Sequence, residues 1–394
     1  MPNRLKIFLS ILFSFTSSAI LSQTILFVEN SYPDGKIKEK YQALVQSTDT
    51  FKQGKYLFYY PGEILMQEGS FEDNLPNGEW LTYFRTGSRK SLFNYKKGLK
   101  TGLFMIWNED GSLYQTGNYK NDKLEGSLTT YHPNGQVDSE SEYKNGMLNG
   151  LSTVFSADSI KLMVVEYKND TINGIWETYH QNGNINYKGK KKNGELEGFV
   201  LTYYDNGKIQ REANYKDGKM YGVVKGYYTN GNLENSSNYK DGSLEGEYKE
   251  YYPMGQLAET GQYINNQRNG VWKSFYPDGM LNSTGEFHNG LLHGNWKVFH
   301  SNGNIKQIGD YRKGKTYGKW SYFNEDGIIL LEGNYINGYS EAIWIVFYPN
   351  GNVAGRINFR RGEQYGPAWL YNADSSLERR MKVDKLPELL QKRK

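Results

Sequence analysis

The sequence predicts an all-β protein, an elongated, single-layer antiparallel array of β-hairpins, solenoid-like, in about fourteen units of 24 residues. Three observations predict it. Glycines stand at 54, 78, 102, 126, 150, 174, 198, 222, 246, 270, 294, 318 and 366, in one unbroken 24-residue phase, with Ala342 filling the single gap. A second series follows nine residues later, at 87, 111, 135, 183, 207, 231, 255, 279, 303, 327 and 351, often as Pro-Asn-Gly, Pro-Asp-Gly or Asn-Gly. A third, from Asn74 and Gly98 to Gly338 and Gly362, contains only Gly, Asn or Asp, the residues that tolerate left-handed backbone. Two turn signals per unit leave two segments rich in Tyr, Trp, Phe, Val, Ile and Thr, which read as two antiparallel strands.

The elements follow in chain order. Arg4 and Lys6 precede an apolar stretch from Ile7 to about Leu21, and Ser17, Ser18, Ala19 and Ser22 stand before Gln23. This is the order of a secretory signal peptide. The stretch of ~15 residues is short of the ~20 that a membrane helix needs. Residues 1–22 are therefore assigned as a signal peptide, so the chain is expected in the periplasm, at the cell surface or secreted. Residues 23–53 form an amino-terminal cap, in which Tyr32-Pro33-Asp34-Gly35 reads as a partial, offset repeat.

The array spans 54–377. With the first glycine of each unit as place one, place six is aromatic throughout, from Tyr59 and Tyr83 to Phe347 and Tyr371. Place eighteen is aromatic from Phe71 to Phe359 with Lys191 as its exception, and place twelve is mostly Leu, Ile or Val. Places six and twelve are expected to face each other across the first turn, and twelve, sixteen and eighteen to share that face by alternation. Place three holds Trp80, Trp176, Trp272, Trp296, Trp320 and Trp344. Its parity is wrong for place six, so a bulge between them is expected to bring both onto one face. Place sixteen is often glycine, as at Gly69, Gly261, Gly285, Gly309 and Gly333, leaving a hole for the tryptophans to cover. One hairpin cannot bury enough to fold alone, so neighbouring units must stabilise each other. The basic stretch 378–394 reads as a carboxy-terminal cap, with a short helix from Asp384 through Leu390.

The unit Gly-x-Trp-x-x-Phe/Tyr-Tyr/His-x-Asn-Gly-x-Leu…Gly-x-Tyr-x-x-Gly, clear in Gly270 to Gly290, resembles the variant MORN repeat of bacterial YwqK-like proteins. His293-Gly294-Asn295-Trp296 resembles the MORN core. The resemblance covers about residues 54–377 and differs from the 23-residue form by an additional turn motif. It implies a single-layer antiparallel sheet used for protein or membrane contact, and relatives that serve as antitoxin components of toxin–antitoxin systems.

Composition narrows the function. The 47 basic and 43 acidic residues nearly cancel, with no long single-sign run, so no nucleic-acid partner is expected. Near-neutral charge also gives weak support for anionic lipid. There are no cysteines, which excludes disulfides, thiolate metal sites and cysteine nucleophiles. His132, His180 and His300 share place seven with Tyr204, Tyr228 and Tyr252, so they read as a repeat slot; His288 and His293 lie near a turn. Carboxylates such as Glu197, Asp217 and Glu245 recur at the repeat interval and single out no acid/base couple. No catalytic, metal or cofactor site is expected, and the chain is not read as an enzyme.

Two aromatic rows remain as the candidate binding surface. Trp272, Trp296, Trp320 and Trp344 recur on consecutive units, and so do Tyr204, Tyr228, Tyr252 and Tyr276. Core packing is the stronger reading of the first row; the second is expected on the opposite face and freer to bind. The expected function is an exported, non-catalytic scaffold contacting a protein partner or a second copy of itself through an aromatic sheet face or a sheet edge. The competing readings are an envelope glycan or peptidoglycan module and an antitoxin-like protein.

Overall fold

Two kinds of turn, both built on left-handed backbone, alternate along the chain and set every strand. Each residue of the three turn series has positive φ, including Ala342 at 59°. The first turn is shown by Tyr276 to Met280: Tyr276 N–H donates to Met280 O at 2.8 Å, and Gly279 N–H returns to Tyr276 O at 2.8 Å. This is a three-residue hairpin loop closed by a left-handed glycine. The second is a two-residue turn with both residues left-handed, as at Asn289 (49°) and Gly290 (78°) between the paired His288 and Leu291. Positive φ at both central positions matches the right-handed twist of the flanking strands.

The structure, a computed structural model, describes residues 6–10, 24–46 and 49–381. No helix occurs among the described residues; the strands are antiparallel. The chain forms two units, Met1–Glu195 and Leu196–Lys394.

In the first unit, β1 (Lys6–Ser10) pairs β2 (Thr24–Ser31), which pairs β3 (Ile37–Gln46), then β4 (Asp49–Tyr59) and β5 (Leu65–Glu72). The Tyr32 turn has the same bonds as the repeat turns, Tyr32 N–H to Lys36 O and Gly35 N–H to Tyr32 O. The segment before the array is thus a further hairpin of the same design. Most of the signal-peptide stretch lies outside the described residues; within it, Lys6–Ser10 runs antiparallel to Ile25–Glu29.

The second unit repeats the pattern. Strand Gln267–Phe275 pairs Leu281–His288 with Gly270 opposite Phe287, Trp272 opposite Gly285 and Phe275 opposite Leu281. The last hairpin joins Ala368–Tyr371 to Leu377–Met381, so the strand pattern extends four residues past 377 into the expected cap. The helix expected over Asp384 to Leu390 lies outside the described residues.

Place six does pair place twelve, as Tyr131 with Val137 and Phe299 with Ile305. The bulge, however, is not between places three and six. Those strands run unbroken, and the register slips on the return strand, where Ser274 pairs Ser283 but Phe275 pairs Leu281, leaving Asn282 extra. Paired residues share a face, and residues three apart in one strand do not. Places three, five, seven, fourteen, sixteen and eighteen therefore make one face, called here the ring face, while six and twelve join four and fifteen on the second. Two contacts agree. Leu331, Trp344 and Val346 form a buried cluster with Tyr322, Tyr335, Tyr348 and Phe359 against it. The Tyr83 hydroxyl, at place six, donates to Glu68 at place fifteen, 2.6 Å away. The physical cause is the glycine loop, which puts its extra residue on the strand leaving it.

Candidate functional site

Five of the place-three tryptophans lie flat over glycine backbone, while Trp176 stands opposite Val165. A Cβ added to Gly69, Gly261, Gly285, Gly309 or Gly333 would overlap the ring of Trp80, Trp272, Trp296, Trp320 or Trp344, each on the following hairpin. The indole N–H donates to a backbone carbonyl beside that glycine: Trp272 to Gln262, Trp320 to Asp310 and Trp344 to Asn334, at 3.1–3.2 Å. Place-eighteen rings stand edge-on between them. The second unit thereby carries an alternating series, Tyr263, Trp272, Phe287, Trp296, Tyr311, Trp320, Tyr335, Trp344 and Phe359, with centroids 4.9–6.4 Å apart. Edge-to-face contact suits the ring quadrupoles. Lys191, the exception at place eighteen, sets its ammonium 4.0 Å from the Trp176 ring, so a cation takes the place of the missing ring.

This packing decides how much of the first candidate row is accessible. Trp272, Trp320 and Trp344 are only 1–2% exposed, and Trp296 is half-buried. Glycine lets Trp80, Trp272, Trp320 and Trp344 descend onto the sheet and become buried within a single layer.

The tyrosine row lies on the ring face too, not opposite it, and its hydroxyls are committed. Tyr204 donates to Tyr227 O, Tyr228 to Tyr251 O, Tyr252 to Phe275 O and Tyr276 to Phe299 O, at 2.6–2.8 Å. Tyr32, Tyr60 and Tyr348 do the same to Tyr59, Tyr83 and Tyr371. Where place seven is histidine, Nε2 meets the same carbonyl, His132 with Phe155 O at 3.1 Å and His300 with Phe323 O at 3.0 Å. Where place seven is Tyr or His it latches one hairpin to the next, which is why those two residues exchange there; Phe84, Asn108, Ser156 and Asn324 fill the slot elsewhere. Burial, with Glu234 and Glu250 nearby, raises the Tyr228 phenol and keeps it a donor.

The polar candidates are turn anchors. Glu197, Glu245 and Glu341 accept the N–H of Asp217, Asn265 and Arg361 in the following turn. Asp122, Asp170 and Asn266 accept the N–H of Lys100, Leu148 and Leu244 in the preceding one. His288 and His293 are exposed with ring centroids 6.1 Å apart. No group of three or more His, Cys, Asp or Glu capable of holding a metal occurs among the described residues.

Place two supplies one recurrent set of accessible apolar side chains; Leu75, Leu99, Leu291 and Tyr339, beside the two-residue turns, make another. Leu103 and Leu151 in the first unit are 40% and 44% exposed; Phe199, Val223, Val271 and Ile343 in the second are 47–52% exposed. They share the second face with places four and six. Their sequence signal was an apolar residue recurring immediately after the place-one glycine.

Repeated hairpins bonded turn to turn, with an aromatic face packed on glycine, define a β-hairpin repeat protein. Ten segments match the family described as MORN repeat variant: residues 100–121, 124–145, 172–193, 196–217, 220–241, 244–265, 268–289, 292–313, 316–337 and 340–361. The chain belongs to this family. The match supports the repeat and not an antitoxin assignment. Such repeats typically act as scaffolds for protein or membrane contact and are generally non-catalytic. A hairpin of the same form also occupies 147–167, outside the matched segments, with Ser159 at φ 62° in the glycine's place. No curated protein matches the chain. Among solved structures, the Photorhabdus luminescens Tc holotoxin pore is similar over 91% of this chain and 27% of that chain, at 12% identity and a TM-score of 0.15. The chain thus spans about a quarter of that chain's length.

Proposed function

We propose that the protein is an exported, non-catalytic scaffold that binds a protein partner through the second face of its sheet. The carrying observation is the place-two slot of the second unit, where Phe199, Val223, Val271 and Ile343 recur as large apolar side chains, about half exposed. Water-exposed apolar side chains gathered on one face favour a partner that covers them. The ring face supports this assignment, because its indoles and phenols are consumed by packing and latch bonds. Export rests on the charge and apolar pattern of residues 1–22, and the absence of catalysis on the assignment of the recurrent polar groups to turns.

The test is site-specific photocrosslinking in the native host, with the probe at Phe199, Val223 or Val271 and, as control, at Tyr228 on the ring face. One discrete adduct from the place-two sites and none from Tyr228 is expected. Equal labelling from both faces, or no adduct from either, would overturn the proposal. Fractionation of the same cells tests export: recovery of the uncleaved chain in the cytoplasm alone removes that element and leaves the rest standing.

A further inference from the structure

The second turn series gathers a row of cations that linear sequence disperses. Place nineteen is the last residue of each return strand, directly before the two-residue turn. In the first unit it is Glu72 on the first array hairpin and then Lys96, Lys120, Lys144, Lys168 and Lys192, one on each of the next five hairpins. All five are exposed, and they share the second face because each follows a ring-face residue at place eighteen. Lys97 and Lys123 lie at the same rim. Among the described residues, no ion pair joins any of the five to a carboxylate within 4.0 Å.

Several carboxylates near this rim accept backbone N–H, while Glu72, Asp73 and Glu195 stand at its two ends. Asp122 accepts Lys100 N–H, Asp170 accepts Leu148 N–H, Glu125 accepts Asn145 N–H and Glu166 accepts Ile175 N–H. Glu142 is directed at Gly150. The opposite rim in this unit, at the three-residue loops, carries Glu109, Asp110 and Asp158 against the single cation Arg85. Between Lys96 and Lys192 this rim therefore carries eight lysines against Asp122, Glu125 and Asp170, an excess of cations, while the loop rim carries an excess of acids.

We propose that this lysine row binds an extended anionic polysaccharide carrying one carboxylate per disaccharide. Successive place-nineteen residues lie two strands apart, ~9.6 Å at ~4.8 Å per strand. That is about the length of two sugar residues in an extended chain, so one lysine meets each charge in register along the row. Nucleic acid and acidic peptide carry charges at closer intervals and leave most of them unmatched by this spacing. Long lysine side chains bring point charges without demanding a fixed geometry, which suits a flexible polymer. The proposal is independent of the place-two surface and of export.

The experiment uses the full chain and hyaluronate oligosaccharides of defined length, followed by isothermal titration at low salt. Binding is expected, weakening as salt rises. The combined variant Lys96→Gln, Lys120→Gln, Lys144→Gln and Lys168→Gln, checked for an unchanged circular dichroism spectrum, is expected to bind at least tenfold more weakly. The control Lys225→Gln, Lys273→Gln and Lys297→Gln, at place four of the second unit, is expected to stay within twofold of the parent. No binding of hyaluronate by the parent chain, or an undiminished affinity in the combined variant, overturns the proposal. Poly-glutamate or single-stranded DNA binding as tightly as hyaluronate shows that the spacing is not read and overturns it as well. So does binding confined to phosphatidylserine vesicles, which assigns the row to a lipid surface.

Discussion

Trp320 lies across Gly309 on the neighbouring hairpin, with its indole N–H donated to Asp310 O at 3.2 Å. Neither residue is separable from the other: the ring needs a strand position without a side chain, and the bare backbone needs a cover. Gly309→Ala would drive a methyl into the ring and is expected to destabilise the protein by about 1–3 kcal/mol, the usual cost of overpacking. Gly355→Ala is the comparison, because there a Cβ would meet Leu370 and the Trp369 carbonyl at an ordinary 3.4 Å. Its expected cost is below about 1 kcal/mol. Urea unfolding followed by tryptophan fluorescence reads both; equal losses would show that the indole contact is not the cause.

The latch predicts an asymmetry between two substitutions at one site. Tyr228→Phe keeps the ring and removes the donor to Tyr251 O, with an expected loss of about 1 kcal/mol. Tyr228→His restores a nitrogen of the kind that His132 and His300 use, and is expected to lose less. A histidine variant weaker than the phenylalanine variant contradicts the latch.

Ala342 holds φ 59° where its counterparts are glycine. Left-handed backbone costs an L-residue about 1 kcal/mol. Ala342→Gly is therefore expected to stabilise the protein by about that amount, read as a higher urea midpoint at unchanged slope. A lower midpoint would mean that the added chain entropy of glycine outweighs the relief.

Phenol burial fixes the alkaline limit of stability. Burial first, then the bond to Glu68, pushes Tyr83 from 10.0 up to about 12, and burial with Glu177 does the same for Tyr179. Tyr322 and Tyr248 are raised further, by burial first and then by Tyr335 and Glu250 respectively. The folded state thus prefers the neutral phenols. Their contribution is complete below pH 10, the unfolded value, and is lost as pH rises through the folded values. Urea midpoints are expected to hold below pH 10 and fall from there to pH 12, with part of the tyrosinate absorbance appearing only on unfolding. All tyrosines titrating together near pH 10 without loss of stability would refute this.

The turns and the pairing of places six and twelve were legible in the sequence because each glycine position admits few alternatives. Tryptophan over glycine was legible for the same reason. Faces were harder. One extra residue such as Asn282 inverts a strand's parity, and a bulge on either strand leaves the same spacing of aromatics. Placing it on the wrong strand moved Phe275 onto the ring face and Tyr276 off it. The place-two row went unread because Phe199 and Val271 alternate with charged residues such as Glu79 and Lys319 in the same slot. The lysine row went unread because its charges cancel in any count that ignores which rim they occupy.

The latch bonds all point the same way along the chain, from the phenol of one hairpin to the carbonyl of the next. A ribosome delivers the phenol first and the carbonyl some twenty residues later. Each hairpin so latched is therefore completed by its successor, and a growing chain carries at most one open latch at its end. Chain order and bonding order coincide, so the array can zip shut from its amino terminus as it emerges from whichever channel delivers it, without waiting for the last repeat.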